Sequence, residues 1–232
     1  MQELKVETAP WWEVKLDFIG TERMPLVLID NFYPKPQTLI EDAGKRKLTA
    51  NAPYFPGIRA AIPNAYFTPL QRGLSYLLSN IFQYKSGLEL QEAHYSLTTT
   101  PASELRLMQR LPHVDGGNDM KLALLHYLCG SEHGGTSFYR QKRTGFETVS
   151  RQHFNEYEAA VARDHSEYGP PAAAYFRGSD KRFEKIHHVE AKFNRAVIYF
   201  GLNLHAITIG ESPLSNNPIS GRLTINSFFN PL

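Results

Sequence analysis

Two short segments about ninety residues apart, Leu-Pro-His-Val-Asp at 111–115 and Asn-Leu-His-Ala-Ile at 203–207, constrain this chain more than anything else in it. Each lies beside apolar runs of strand length: Leu122–Leu128 follows the first, and Arg195-Ala-Val-Ile-Tyr-Phe200 precedes the second. Together they carry two imidazoles and a carboxylate, on His113, Asp115 and His205. In an extended segment residues i and i+2 point to one side. His113 and Asp115, at the end of a strand, can therefore aim at one point. His205 sits just past a strand end, where a ligand is better placed than a core residue. A fold that uses all three must bring distant strand ends together.

The rest of the chain supplies the strands for such a fold. Residues 12–19 alternate weakly and Pro25-Leu-Val-Leu-Ile-Asp30 is a compact apolar run, so both read as strands. Pro34-Lys-Pro-Gln opens a helix through about Lys47, with proline in its first turn. Residues 51–63, rich in Pro, Gly and Asn, read as a loop. Leu70, Leu74, Leu77, Leu78 and Ile81 fall on one side of a second helix, from about Thr68 to Tyr84. From Leu88 the pattern turns to strands: Leu88–Leu97, then a polar connection over 98–112, then Lys121–Cys129, with Gly116-Gly-Asn as the turn before it. Gly134-Gly-Thr-Ser-Phe-Tyr139 reads as a turn leading into a short strand. Residues 141–183 look like an insertion with helical composition at Phe154–Asp164, broken by Gly169-Pro-Pro. Strands resume at Lys185–Lys192, Arg195–Phe200 and Arg222–Phe229. The expected fold is mainly β with flanking helices: one domain over 1–232, with N-terminal strands and supporting helices in 1–87. Residues 88–232 then form a double-sheet jelly-roll core.

Bulk properties narrow the function classes. With 25 Lys and Arg against 23 Asp and Glu, the net charge of +2 gives no electrostatic mandate for nucleic acid or a membrane surface. No window approaches the roughly 18 consecutive apolar residues of a membrane span. A single cysteine, Cys129, excludes a disulfide framework within the chain, and a reducing cytoplasm is the expected compartment.

Two histidines and a carboxylate leave the remaining faces of an octahedral iron open, the ligand set of non-haem Fe(II) oxygenases. Arg222, 17 positions after His205, opens an apolar strand. A guanidinium facing inward there needs an anion, and its planar fork matches a carboxylate. Asn226, four positions on, shares its side of the strand. The other histidines lack ligand spacing: His187 and His188 are adjacent and face opposite ways, and His126 points away from the side that Tyr127 takes.

The order His-x-Asp, strand, Gly-Gly-Thr-x-Phe, strand, Leu-His-Ala, Gly-Arg-Leu-Thr resembles the 2-oxoglutarate/Fe(II)-dependent dioxygenase superfamily, and within it the prolyl-4-hydroxylase-like branch. The likeness covers about residues 88–230, and Leu28-Ile-Asp-Asn-Phe-Tyr-Pro is similar to a segment of that branch as well. The resemblance implies a double-stranded β-helix of cupin type. It implies Fe(II) on His113, Asp115 and His205, with 2-oxoglutarate held by Arg222 and contacted by Tyr95, Tyr127 and, with less weight, Asn226. It further implies dioxygen as co-reactant, ascorbate as an auxiliary reductant, and hydroxylation of an amino acid, a peptide or a small natural product. Two other readings stay open on the residues alone. One is a jelly-roll protein that binds a metal or ligand without turnover. The other is an interaction module whose histidines never meet a metal. The sequence leaves the substrate, the role of 141–183 and the oligomeric state undecided.

Overall fold

A central sheet strand buried on both faces organises the molecule. The computed structural model describes residues 1–50, 54–116 and 118–232. Its strands are β1 (Gln2–Leu4), β2 (Glu13–Ile19), β3 (Met24–Asp30), β4 (Gly57–Ala61), β5 (Leu88–Thr98), β6 (Leu122–Tyr127), β7 (Gly134–Gln141), β8 (Phe183–Glu190), β9 (Arg195–Phe200), β10 (His205–Ile209) and β11 (Arg222–Pro231). Three α-helices accompany them: α1 (Pro36–Lys45), α2 (Gln71–Asn80) and α3 (Phe154–Tyr168). An eight-stranded antiparallel sheet runs β1-β2-β3-β9-β6-β11-β5-β4, and a three-stranded one runs β10-β7-β8. All six residues of β6 are buried, which is why its sequence, Leu-Ala-Leu-Leu-His-Tyr, is almost continuously apolar rather than alternating.

Alternation along the sheet sorts side chains into two different environments. One face packs Leu122, Leu124, Ile198, Leu223 and Ile225 against Leu39 and Ala43 of α1 and Leu74 and Leu77 of α2. The other turns Ala123, Leu125, Tyr127, Val197 and Tyr199 toward Phe138 and Val189 of the small sheet. A third cluster on the far side of the small sheet joins Tyr139, Phe183 and Leu204 to Leu111 and to Tyr157 of α3. The functional side chains lie in the gap between the sheets.

Local chemistry explains the element ends. α1 takes proline in its first turn, where a missing N–H costs nothing. α2 is shorter than its leucine spacing predicts, because a 3-10 turn at Asn64–Phe67 precedes it and burial is confined to Gly73, Leu74 and Leu77. The segment expected as a loop after residue 50 contains β4, the last strand of the large sheet, which pairs with β5 on one side and makes a single bridge, Arg59 to Thr49, on the other. Pro56 just precedes it, and proline is compatible with an edge, where a donor need not be supplied; Asn51, Ala52 and Pro53 lie outside the described residues. β1, another edge strand, carries no sequence pattern that announces it. Asn194 takes a left-handed φ of 63° in the turn between β8 and β9. Residues 142–182 leave the small sheet at Gln141 and return at its register partner Phe183, so the excursion is one long hairpin connection.

The helical face holds one buried polar cluster. His126 Nε2 donates to Asn194 Oδ1 at 3.0 Å, and its Nδ1 accepts from the Tyr66 hydroxyl at 2.9 Å. Asn194 also closes both backbone groups of Tyr33. Burial holds the His126 imidazole down at about 3, so it stays neutral in the fold. A free histidine titrates near 6.5, and the unfolded chain therefore takes up a proton that the native chain refuses. Stability is complete above pH 6.5 and falls as pH drops from there toward 3. In urea titrations between pH 7 and 5, His126→Gln should flatten this loss by up to about 1.4 kcal/mol per pH unit; an unchanged slope would show that His126 is protonated in the fold.

Candidate metal centre

Backbone pairing brings the two distant segments of the sequence together. His205 opens β10, and His113 pairs with it in an antiparallel bridge. Each N–H donates to the other's carbonyl at 2.9 Å, and the Asp115 N–H donates to the Gly201 carbonyl at 2.8 Å. Residues 113–115 are thus extended along the free edge of the small sheet, but they belong to no regular strand, and His205 begins a strand rather than following one. The expected turn at Gly116-Gly-Asn includes Gly117, which lies outside the described residues.

The side chains converge as well. The His113 and His205 rings stand 4.5 Å apart between centroids, and His205 Nε2 lies 3.7 Å from Asp115 Oδ1. One ligand atom from each of the three falls within 4.8 Å of the others. His205 Nδ1 sits 2.8 Å from the Asn203 carbonyl, to which only an N–H can donate. The lone pair is thereby fixed on Nε2, facing Asp115, in the way metal-bound histidines are oriented. Burial lowers the His205 pKa to about 4. His113, whose outer edge reaches solvent, shifts in the same direction through desolvation and the neighbouring His205. Burial raises Asp115 to about 6, against the pull of His113, Lys121 and Arg59. Asp115 Oδ2 is buried without a hydrogen-bond partner. Two neutral imidazoles and a carboxylate with an unsatisfied buried oxygen fit a divalent cation.

The second part of the site lies at the start of β11. Arg222 is 2% exposed and is the largest fully buried side chain among the described residues. Its Nη2 donates to the Gly135 carbonyl at 2.8 Å, its Nε has no partner, and its Cζ lies 5.8 Å from the centre of the Tyr127 ring. Among the described residues, no carboxylate lies within ion-pair distance of it. A buried cation in that condition costs several kcal/mol unless an anion joins it.

The expected cosubstrate residues divide between the two faces of the sheet. Tyr127 is on the inner face beside Arg222, its hydroxyl 2.7 Å from Thr136 Oγ1. Asn226 is on the inner face too, where its Oδ1 accepts from Thr224 Oγ1 at 2.7 Å. Tyr95 is not. It pairs with Ile225, packs in the helical core, and has Arg46 at the end of α1 5.9 Å from its ring centre. The expectation for Tyr95 is therefore corrected: strand alternation turns its neighbours Ser96 and Thr98 inward in its place. Their hydroxyl oxygens are buried without partners.

Tyr199, Thr136 and Ser96 on the inner face were not anticipated. Tyr199 stands edge-on to His205 at 5.0 Å, and its hydroxyl is close enough to feel Asp115, Tyr127 and Arg222 together. It therefore links the two parts of the site, and its signal was available: Val197 and Tyr199 alternate toward the inner face in a strand ending at Gly201. Thr136 and Ser96 had no such signal. Arg59, on β4, was hidden by the loop-like composition around it. His126 points to the helical face and His187 lies beside Phe138, 6.3 Å between ring centres, so neither joins the three converging side chains.

Solved structures that this chain is similar to include an N-substituted L-amino acid dioxygenase from Burkholderia ambifaria, 14% identical, covering 94% of each chain with a TM-score of 0.43. Another is the non-haem α-ketoglutarate-dependent epimerase SnoN of nogalamycin biosynthesis, 11% identical, covering 90% of this chain and 78% of that one, TM-score 0.49. A third is iron-bound HygX from Streptomyces hygroscopicus, 11% identical, covering 90% and 83%, TM-score 0.47. No curated protein matches the chain. Its chemistry has therefore to be argued from its own side chains. Residues 10–229 match the sequence model of DUF6445, and the chain belongs to that family, described as one of unknown function.

Proposed function

We propose that this chain is a non-haem Fe(II)- and 2-oxoglutarate-dependent oxygenase that hydroxylates an amino acid, a peptide or a small natural product. We read it as one domain whose two facing sheets form a double-stranded β-helix. One observation carries the reading: a two-histidine, one-carboxylate cluster and a buried guanidinium with no carboxylate partner open into the same gap between the sheets. The first suits a divalent metal with open positions. The second suits the far carboxylate of a diacid, in a bidentate pair that removes the cost of the buried charge.

The residues act by holding and orienting. His205 is locked by Asn203 with Nε2 toward the metal position, and Asp115 brings the negative charge that a divalent cation requires. Arg222 grips the distal carboxylate, backed by the Gly135 carbonyl and the face of Tyr127. The orphan hydroxyls of Ser96 and Thr98 offer that anion further donors. Tyr199 and Phe138 cover His205 and keep bulk water from it. When bound, Fe(II) with 2-oxoglutarate and dioxygen supplies the oxidising chemistry: substrate C–H becomes C–OH, and 2-oxoglutarate leaves as succinate and carbon dioxide.

The decisive experiment follows succinate formation and metal binding together. Wild-type protein should bind Mn(II) or Fe(II) and convert 2-oxoglutarate to succinate in the presence of ascorbate. His113→Ala, Asp115→Ala and His205→Ala should each lose both properties. Asp115→Ala should also melt no lower than wild type without metal, because it removes a carboxylate whose burial is unfavourable. Metal binding without any succinate would leave a binding protein, and retained turnover in all three variants would remove these residues from the site.

Arg222→Gln should keep metal affinity and weaken 2-oxoglutarate binding by about 2–5 kcal/mol, read by calorimetry on the Mn(II)-loaded protein. Equal affinity in the two proteins would assign the anion to another group.

Gly201→Ala tests the backbone that supports Asp115. A Cβ at Gly201 would lie 3.1 Å from Asp115 Cβ and 3.3 Å from its Oδ2, closer than ordinary contact. The carboxylate must move by a few tenths of an ångström, and metal affinity should fall by about tenfold with the fold intact. Unaltered affinity would show that the loop yields in its place.

A further inference from the structure

The mouth of the gap carries charges that the proposed metal and cosubstrate do not use. β4 pairs with β5 in the register Arg59↔Ser96 and Ala61↔His94, and β5 pairs with β11 as Ser96↔Thr224 and His94↔Asn226. Ile58 and Leu97 face the helices, so alternation turns Arg59, His94 and Ser96 to the inner face with Arg222, Thr224 and Asn226. Arg59 Nε is buried without a partner, and its guanidinium carbon lies 4.6 Å over the Phe55 ring. Among the described residues it makes no ion pair, yet it sits in the field of both Asp115 and Glu92. Glu92 is half exposed, 3.6 Å from His94 Nδ1. With Lys121 and Phe228 it also lines an open cleft of about 410 Å³.

This is an inner-face cation without an ion-pair partner among the described residues, in the field of Asp115 and of the accessible Glu92 carboxylate and with an aromatic ring beneath. A guanidinium backed by an aromatic face and lacking a protein counterion presents its fork to a planar anion. A simple anion would be repelled by Glu92, and a simple cation by Arg59 and Lys121. A small molecule carrying both charges matches both.

We propose that Arg59 and Glu92 recognise the substrate, and that this substrate is a zwitterion of amino-acid type, with its carboxylate on Arg59 and its charged nitrogen toward Glu92. The assignment rests on the oxygenase reading and narrows it: free amino acids are favoured over peptides or neutral natural products. Arg59 and Arg222 then divide two carboxylates between them, the substrate's at the β4 edge and the cosubstrate's at the start of β11.

The test is calorimetric titration of the Mn(II)-loaded protein, with and without 2-oxoglutarate. The probes are the twenty amino acids, their carboxamides and their N-acetyl forms. At least one free amino acid should bind, with its carboxamide and its N-acetyl form each weaker by roughly tenfold or more. Arg59→Gln should weaken that amino acid by a similar factor and leave 2-oxoglutarate within about twofold, and Arg59→Lys should recover part of the loss. Glu92→Gln should erase the difference between the free and N-acetylated forms. The inference is overturned if no amino acid binds better than its carboxamide, if Arg59→Gln binds it as wild type does, or if Arg59→Gln loses 2-oxoglutarate instead. Failure of wild-type protein to bind 2-oxoglutarate at all would sink the parent reading, and the amino-acid arm without 2-oxoglutarate would still judge Arg59.

Discussion

A guanidinium buried at the heart of a β sandwich, with no carboxylate among the described residues to meet it, is the constraint around which this molecule is arranged. Arg222 cannot move aside. It opens β11, which is paired along its length with β5 and over six residues with β6, so its backbone is fixed from both sides. One carbonyl and one tyrosine face are its partners, too little to offset the desolvation of a full charge. The same gap holds other unsatisfied polar atoms: Nε of Arg59, Oδ2 of Asp115 and the hydroxyls of Ser96 and Thr98. Arg59, Ser96 and Thr98 share the inner face of the large sheet with Arg222, and Asp115 faces them from the edge of the small one. Their common remedy is a set of polar ligands: a cation at Asp115 and anions at the arginines.

The two faces of the large sheet divide the work of stability and chemistry. The helical face is closed by leucines from α1 and α2, and the polar cluster there around His126 and Asn194 is satisfied by hydrogen bonds within the protein. The inner face keeps apolar packing at Leu125, Val197 and Phe138 but leaves polar atoms open beside it. Destabilisation from the inner face is offset by the extensive apolar packing of the helical face.

This division explains how much of the site was legible in the sequence. His113, Asp115, His205 and Arg222 stand out in the sequence by their joint order, each piece being weak alone, and pairing at Asp115–Gly201 and His113–His205 brings the first three side chains within reach of one another. Tyr127 and Asn226 were assigned to the correct face because each lies an even or fixed step from a recognisable neighbour. Tyr95 failed for a reason local reading cannot repair. In a strand as long as β5, one position of register decides whether Tyr95 or Ser96 faces inward. That register is set by Tyr95 meeting Ile225 across the sheet, and Ile225 belongs to a strand more than a hundred residues away. Arg59 lies in what reads as a loop: proline and glycine beside it mask a strand held by pairing with β5 and by the bridge to Thr49.

The long excursion over 142–182 acts on the site through the backbone that carries His113. That segment has no strand of its own and joins the small sheet by an isolated bridge, so it needs support from outside the sheets. The excursion supplies it: the Tyr157 hydroxyl of α3 donates to the Pro112 carbonyl at 3.2 Å, one residue from the ligand. The Tyr175 hydroxyl donates to the Thr100 carbonyl at 2.8 Å, near the start of the same connection. Leu111 and Val114 pack with Tyr157 on the far side of the small sheet. Two of the three candidate ligands lie on that connection, and a ligand's aim is only as firm as its backbone. The excursion therefore serves as a buttress for His113 and Asp115, and through Arg151 it also reaches the charged cleft at Glu92 and Lys121 on the β5 and β11 side.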